Sequence, residues 1–400
     1  MKSQPSLNLV ETQIIQHLRS AGKLSRSELA QMMGYSRASM TGFINDLMEP
    51  DILKEVGEGA SQGGRRPLIL SINGDYGFIA GYDIGATSID IALANFKGDI
   101  LEHCTEPADV RDSPEVVLGR CAEIILELLI KRGGTPEQVA AIGIGVPGPV
   151  EFAKSVLIAP PLMSHWENFS IKELVSKTFT SATVVVDNDV NIRALGELYV
   201  GGGKGLSNFI WVKIGTGIGS GIITMGEIYR GANGTAGNIG HIEADHNGPI
   251  CRCGNRGCLE AMAAGPSIAQ RGRQAAEEGR SPFLSKRLLE NNGKLMANDI
   301  GEAASKGDTA AIEIIRDSGR LVGSVLAGLV EFINPEVIFI GGGISKIGFT
   351  LLSSIRQAIL QRANPLSTRD LRVEYSQLGD TAGVVGAIAL TFPYIFEVAK

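Results

Sequence analysis

Two stretches of the chain repeat one pattern, and this repetition limits the possible folds more than any other feature. Residues 78–87 read FIAGYDIGAT, followed by SIDIALANF, a Lys97-Gly98-Asp99 turn and a further strand-like run. Residues 208–221 read NFIWVKIGTGIGSG, followed by another apolar run and a Met225-Gly226-Glu227 turn. Each predicts a strand, a Gly/Thr-rich turn and a second strand. Glycines let the backbone approach phosphate oxygens, and threonine hydroxyls and backbone N–H groups donate to them. A single such turn reads as a plain hairpin. Two of them, opening successive halves of an α/β chain, predict a duplicated fold with nucleotide in the cleft between two lobes. A third glycine run, Gly341-Gly342-Gly343, follows an apolar strand and would lie beside an adenosine.

With 44% hydrophobic residues over 400 positions, the chain has material for two or three cores. The beginning, MKSQPSLNLVE, has no apolar leader, and no apolar run reaches the roughly 18 residues of a membrane span. The chain is therefore expected to be cytoplasmic, without a membrane partner. There thiols stay reduced, and clustered cysteines favour metal over disulfides. The net charge of −6 argues against a generally basic nucleic-acid binder. It is unevenly spread, however: residues 1–75 hold eight Lys/Arg and eight Asp/Glu, so this segment is neutral and the remainder acidic.

The neutral segment reads as a winged helix-turn-helix. Leu7, Val10, Ile14 and Leu18 recur at helical spacing before Ala21-Gly22. Ser25-Arg26-Ser27-Glu28 is a capping box for a helix through Met33, and Gly34-Tyr35 makes the turn. Ser36 caps a third helix to about Met48, with Met40, Ile44 and Leu47 inward. Strands Ile52–Val56 and Leu68–Ile72 then flank GEGASQGGRRP as a wing. Ser36, Arg37, Ser39, Thr41 and Asn45 face outward on the third helix, where they would meet the major groove. Arg37 is the best guanine reader among them, and Arg65 and Arg66 in the wing would grip phosphates or enter the minor groove.

Two constellations mark the body. Asp187-Asn188-Asp189 ends an apolar strand just before a helix, where carboxylates of α/β proteins face the ligand crevice. There Asp189 could take a proton from a sugar hydroxyl attacking a γ-phosphate, and Asn188 could hold neighbouring hydroxyls. Asp and Asn also favour helix caps, so at least one of the three is expected to be only a cap. The second constellation is His241-x9-Cys251-x-Cys253-x4-Cys258. One imidazole and three thiolates complete a tetrahedral structural Zn2+ site, and a shell filled by protein leaves no position for a catalytic water. Cys104 and Cys121 have no ligand spacing and read as buried small hydrophobes.

Taken in order, DIGAT at 83–87, GVPGP at 145–149, Asn188-Asp189, GTGIG at 215–219, Gly240-His241 and CRCGNRGCLE at 251–260 resemble the ROK family of repressors and sugar kinases. The likeness covers essentially the whole chain. It implies an α/β hexokinase/actin-like, ribonuclease H-like body at 76–400, behind a winged helix-turn-helix at 1–75 of the kind found in the family's xylose and N-acetylglucosamine repressors. Lobe 1 would comprise about 78–185 plus 382–400, and lobe 2 about 186–381 with the zinc motif at 241–258. The resemblance assigns zinc to His241, Cys251, Cys253 and Cys258, and sugar to Asn188, Asp189, Asn238, His241 and Glu260. If ATP and Mg2+ bind, Asp83, Gly85, Thr87, Thr216, Gly217 and Gly219 would surround them, with Gly342 nearby.

Four positions depart from the family's kinases. Asn238 stands where they carry a sugar-binding Glu, Ala86 and Ser88 alter the first phosphate turn, and Pro161 replaces a frequent Asn. An amide accepts at one end and donates at the other, whereas a carboxylate accepts at both. The expectation is therefore a sugar-responsive repressor that binds operator DNA as a homodimer or tetramer. The alternative is an ATP-dependent sugar kinase, with Asp189 as base, carrying a DNA-binding module.

Overall fold

The computed structural model describes residues 7–59, 66–158, 160 and 163–396; Arg65 and Pro161 lie outside the described residues. Helix α1 (Leu9–Ala21) opens on a capping box between Asn8 and Glu11 and ends at Gly22. Strand β1 (Leu24–Ser25) leads into α2 (Arg26–Met33), where Ser25 and Glu28 form the predicted capping box and left-handed Gly34 stops the helix. The Ser36 hydroxyl accepts the Ser39 N–H and starts α3 (Arg37–Met48). Strands β2 (Leu53–Glu58) and β3 (Leu68–Ile72) complete an antiparallel sheet in the order β1-β3-β2. Met40, Ile44 and Leu47 are fully buried, as the helical spacing predicts. The short β1 was not anticipated; it pairs Leu24 with Leu70 and closes the sheet.

The chain divides into two compact units, one running to Ile192 and resuming at Gly383, the other spanning Arg193–Ala382. The first contains α1–α3 with their three-stranded sheet, and a five-stranded sheet. Its strands are β4 (Phe78–Ile84), β5 (Ser88–Asn95) and β6 (Ile100–Pro107), then β7 (Val139–Val146) after helix α4 (Pro114–Lys131). A small hairpin, β8 (Val150–Glu151) with β9 (Val156–Leu157), and helix α5 (Ile171–Thr178) precede β10 (Thr183–Asn188). The sheet order is β10-β7-β4-β5-β6, with β4, β7 and β10 parallel and β4, β5 and β6 antiparallel. Strand β7, between β10 and β4, is buried at every residue, as expected of a parallel strand covered on both faces. Cys121 on α4 is buried in this core, and Cys104 on edge strand β6 only partly so.

Helix α6 (Asp189–Tyr199) carries the chain into the second unit. That unit's sheet is built from β11 (Phe209–Ile214), β12 (Ile218–Thr224), β13 (Glu227–Ile228), β14 (Val337–Gly341) and β15 (Arg372–Tyr375). Its order is β13-β12-β11-β14-β15, again an antiparallel meander of three strands joined through the first to two parallel strands. The duplication read from two glycine turns is thus a duplication of sheet topology. Helices α7 (Leu259–Ala263), α8 (Gly265–Glu277), α9 (Pro282–Glu290), α10 (Ala297–Ser305), α11 (Thr309–Ile333), α12 (Phe349–Arg362) and α13 (Pro365–Thr368) build the rest of this unit. The final helix, α14 (Ala382–Thr391), belongs to the first unit from Gly383 onward. Among the described residues, no helix is long and apolar enough to cross a membrane.

Candidate functional site

The cysteine cluster is held by a knot of backbone hydrogen bonds. Cys251 N–H donates to Asn255 O at 2.7 Å, Gly257 N–H to Pro249 O at 2.8 Å, and Leu259 N–H to Ile242 O at 2.9 Å. These bonds fold residues 241–258 so that one ligand atom each from His241, Cys251, Cys253 and Cys258 lies within 4.8 Å of the others. The Cys253 and Cys258 sulfurs are 3.6 Å apart, and His241 Nδ1 is 3.6 Å from Cys251 Sγ. A zinc tetrahedron with Zn–S of about 2.3 Å and Zn–N of about 2.0 Å has edges of roughly 3.5–3.8 Å, so the donor set fits zinc. Nδ1 is the ring nitrogen that faces the Cys251 sulfur. Without metal, burial pushes the Cys258 thiol up to about 12, while the Asn255 backbone hydrogen bond lowers that of exposed Cys253.

The segment is tied directly to the second glycine turn. Glu260, in the first turn of α7, accepts the Ile218 N–H through Oε2 at 2.9 Å. A side chain at Gly217 would put its Cβ 2.5 Å from the same oxygen, so any larger residue there displaces the Glu260 carboxylate. One Glu260 oxygen, assigned to sugar hydroxyls by resemblance, is therefore also a loop anchor. Asn238 is exposed at the start of the short 3-10 turn Ile239–His241. Thr216 is exposed at the tip of the turn, and Gly342 takes φ +91° behind it, packed on Ile214 O.

In the first unit, Asp83, Gly145 and Asp187 are cross-strand neighbours at the C-terminal ends of β4, β7 and β10. Ligands of parallel α/β sheets bind at such strand ends. Gly85 and Thr87 follow Asp83 in the turn to β5, with Gly85 N–H donating to Ser88 O at 2.8 Å. Asp187 Oδ1 accepts both the Asn188 N–H and the Asn191 amide, each at 2.7 Å. Asn188 donates to Gly148 O at 2.6 Å and accepts the Val190 N–H at 3.0 Å. The helix-cap role anticipated for one of the three polar residues therefore falls to Asn188. Asp189 is buried at the first position of α6.

On the winged module, Ser36, Arg37, Ser39, Thr41 and Asn45 are all exposed, as is Arg66 at the base of the wing. Their polar groups are partly committed. Ser36 and Ser39 hydroxyls are 2.9 Å apart, Thr41 donates to Arg37 O at 2.8 Å, and Asn45 Oδ1 accepts from Arg26 at 3.0 Å. Arg66 lies 3.9 Å from Glu58. Arg26, which also lies 3.5 Å from Glu55, is a cation beside α3 that the helical pattern did not single out.

Glu197 was also missed beyond its place in α6. It is fully buried, accepts the Gly202 N–H at 2.8 Å and is hydrogen-bonded by the Ser376 hydroxyl. Burial raises its carboxyl above the ordinary value, against the lowering effect of those hydrogen bonds. The signal available in sequence was a lone Glu in an apolar helix followed by Gly201-Gly202-Gly203.

Comparison with known proteins places this geometry. The family model described as "ROK family" matches residues 79–392. The xylose repressor of Caldicellulosiruptor bescii is 32% identical over 369 residues, covering 92% of this chain and 91% of that protein. The crystal structure of a ROK family transcriptional regulator, a homolog of the E. coli MLC protein, superposes with a TM-score of 0.80 at 27% identity over 96% of both chains. A ROK family glucokinase from Streptomyces griseus, solved with glucose and AMPPNP, gives a TM-score of 0.67 at 30% identity, covering 99% of its own length but 78% of this chain. The chain belongs to the ROK family.

Proposed function

We propose that this protein is a sugar-responsive transcriptional repressor that binds operator DNA through α2, α3 and the wing and takes a carbohydrate effector on its ROK body. The observation that carries this reading is one chain joining three N-terminal helices and a three-stranded sheet to the ROK-family segment 79–392, the kinase relatives covering 78% of this chain. The exposed face of α3 supplies Arg37 and a row of hydroxyls suited to base edges and phosphates. Of the residues assigned to sugar by resemblance, Asp189, Asn238, His241 and Glu260 supply the polar groups, while Asn188 caps α6 next to Asp189. His241, Cys251, Cys253 and Cys258 would hold zinc, which would act as a structural clamp; with Nδ1 turned to Cys251, His241 would keep Nε2 for a hydroxyl, and Glu260 would stay at the glycine turn. The sugar shifts operator affinity by binding two states of the protein unequally.

The kinase reading keeps one supporting observation, the GTGIG turn beside Glu260, together with glucokinase relatives. A thermal-shift screen with xylose, glucose, N-acetylglucosamine and their phosphates, with and without Mg-ATP, tests effector binding. A coupled ADP-release assay on every sugar that shifts the melt separates sensor from kinase. Binding without ADP release supports the repressor. Turnover abolished by Asp189→Ala would establish the kinase instead.

A further inference from the structure

The winged module shares its hydrophobic core with the body's first unit. Ile14, Ile15 and Leu18 of α1 lie in one cluster with Ile79 and Ala92 of the sheet and with Val384, Ile388 and Phe396 at the chain's C-terminal end. At the centre of this contact sits Arg19, in the last turn of α1. Its guanidinium donates to Phe96 O at 3.0 Å and to Lys97 O at 3.2 Å. The same group stacks 4.1 Å from the Phe392 ring centroid and 5.3 Å from that of Phe96. Phe96 in turn packs on Tyr76, which follows the wing, at 4.6 Å, and on Phe396 at 5.8 Å. Planar, always-charged guanidinium suits this double role of stacking and carbonyl capture, which an ammonium does not reproduce.

Phe392 directly follows α14, and the other end of that helix meets Asp83. A Cβ at Gly383 would fall 1.8 Å from Asp83 Oδ2, so the carboxylate rests against the helix's first turn. Between its ends α14 is pressed to the sheet, since a Cβ at Gly143 would fall 1.8 Å from Ala387 O. Ten residues at 1.5 Å each make a rigid element of about 15 Å. Contacts this close leave the helix no room to bend independently of the sheet or of its two ends.

We propose that α14 is a strut connecting the Asp83 turn to the DNA-binding module, and that Arg19 is the positioning residue that locks the module to it. Displacement of the Asp83 end then moves α1 as a body, without a flexible linker. This inference rests on the reading of the winged module as DNA-binding. Its test reads docking of α1 directly, so failure of that reading and failure of the strut are distinguishable.

The test is hydrogen–deuterium exchange on the full chain, comparing wild type with Arg19→Ala, Arg19→Lys, Gly383→Ala and the Arg19→Ala/Gly383→Ala double variant. In Arg19→Ala, peptides from α1 should exchange roughly ten-fold faster, the scale of losing a cation–π contact and two hydrogen bonds. Peptides from β7 should keep their protection, which shows that the sheet remains folded. Arg19→Lys should fall between the two. Gly383→Ala should accelerate α1 although its new methyl lies at the far end of α14, and should add little in the double variant. Unchanged α1 exchange in Arg19→Ala would overturn the lock. Acceleration confined to residues around 383 in Gly383→Ala would overturn the strut. Should Gly383→Ala also lose β7 protection, the milder Asp83→Asn decides the same point by the same two readouts.

Discussion

Glu260 and Ile218 are joined by a single hydrogen bond of 2.9 Å that ties the cysteine-rich segment to the second glycine turn. Through it, order in the His241–Cys258 cluster becomes order at the turn, because Glu260 directly follows the Cys258-Leu259 pair. Glu260→Ala leaves the Ile218 N–H, on a nearly buried residue, without this acceptor. The expected cost is about 1–3 kcal/mol of stability, read by urea denaturation, with loss of sugar-induced stabilisation in the same variant. Gly217→Ala should lose part of the sugar response at a smaller stability cost, because the new methyl pushes only the end of a flexible side chain.

Zinc content should be one ion per chain by elemental analysis, and Cys258→Ser should abolish it. Removal by a chelator should lower the melting temperature and reduce the sugar-induced shift together. Metal affinity should weaken as pH falls, because the thiols must give up protons to bind, and without metal burial together with the neighbouring Cys251 and Cys253 thiols holds Cys258 near 12. Isothermal titration in two buffers of different ionisation enthalpy counts the released protons.

Much of this was legible in sequence, and the reasons differ by region. The N-terminal helices were readable because their signals are local: Ser25 and Glu28 cap a helix three residues apart, and Met40, Ile44 and Leu47 repeat on one helical face. The clustering of His241, Cys251, Cys253 and Cys258 was readable because spacing within 241–258 almost determines it. The sheet duplication was readable from its two turns, but strand order was not, since β4 pairs with β7 across more than fifty residues. Glu197 and Arg19 escaped because their roles depend on partners far along the chain, Ser376 for one and Phe392 for the other. Asn188 was read as a sugar ligand by resemblance and as a possible cap by its position, and its bonds to Gly148 and Val190 make it a cap.

Buried Glu197 should leave a signature in the pH dependence of stability. Its folded-state value is raised above the usual 4.5 by burial. The folded state therefore holds this proton at pH values where the unfolded state has lost it, so its contribution is full below the unfolded value and declines as pH rises through the folded one. The difference in unfolding free energy between wild type and Glu197→Gln should thus shift against wild type as pH rises from 4 toward 8. A difference independent of pH would contradict this assignment.

Arg37 and Arg66 should separate reading from gripping. Arg37→Ala should cost about 1–3 kcal/mol on a specific site and much less on random duplex. Arg66→Ala should weaken both alike and reduce the slope of log K against log salt by about one. Fluorescence anisotropy at several salt concentrations, with a fragment of the gene's own upstream DNA, measures both.

The most direct test of the central claim is that anisotropy titration repeated with each sugar found in the thermal-shift screen, in the absence of ATP. A repressor governed by sugar should show a shift of at least roughly ten-fold in operator Kd for one sugar, the range of ordinary coupling energies. Operator affinity indifferent to every bound sugar, together with ADP release on one of them, would contradict it.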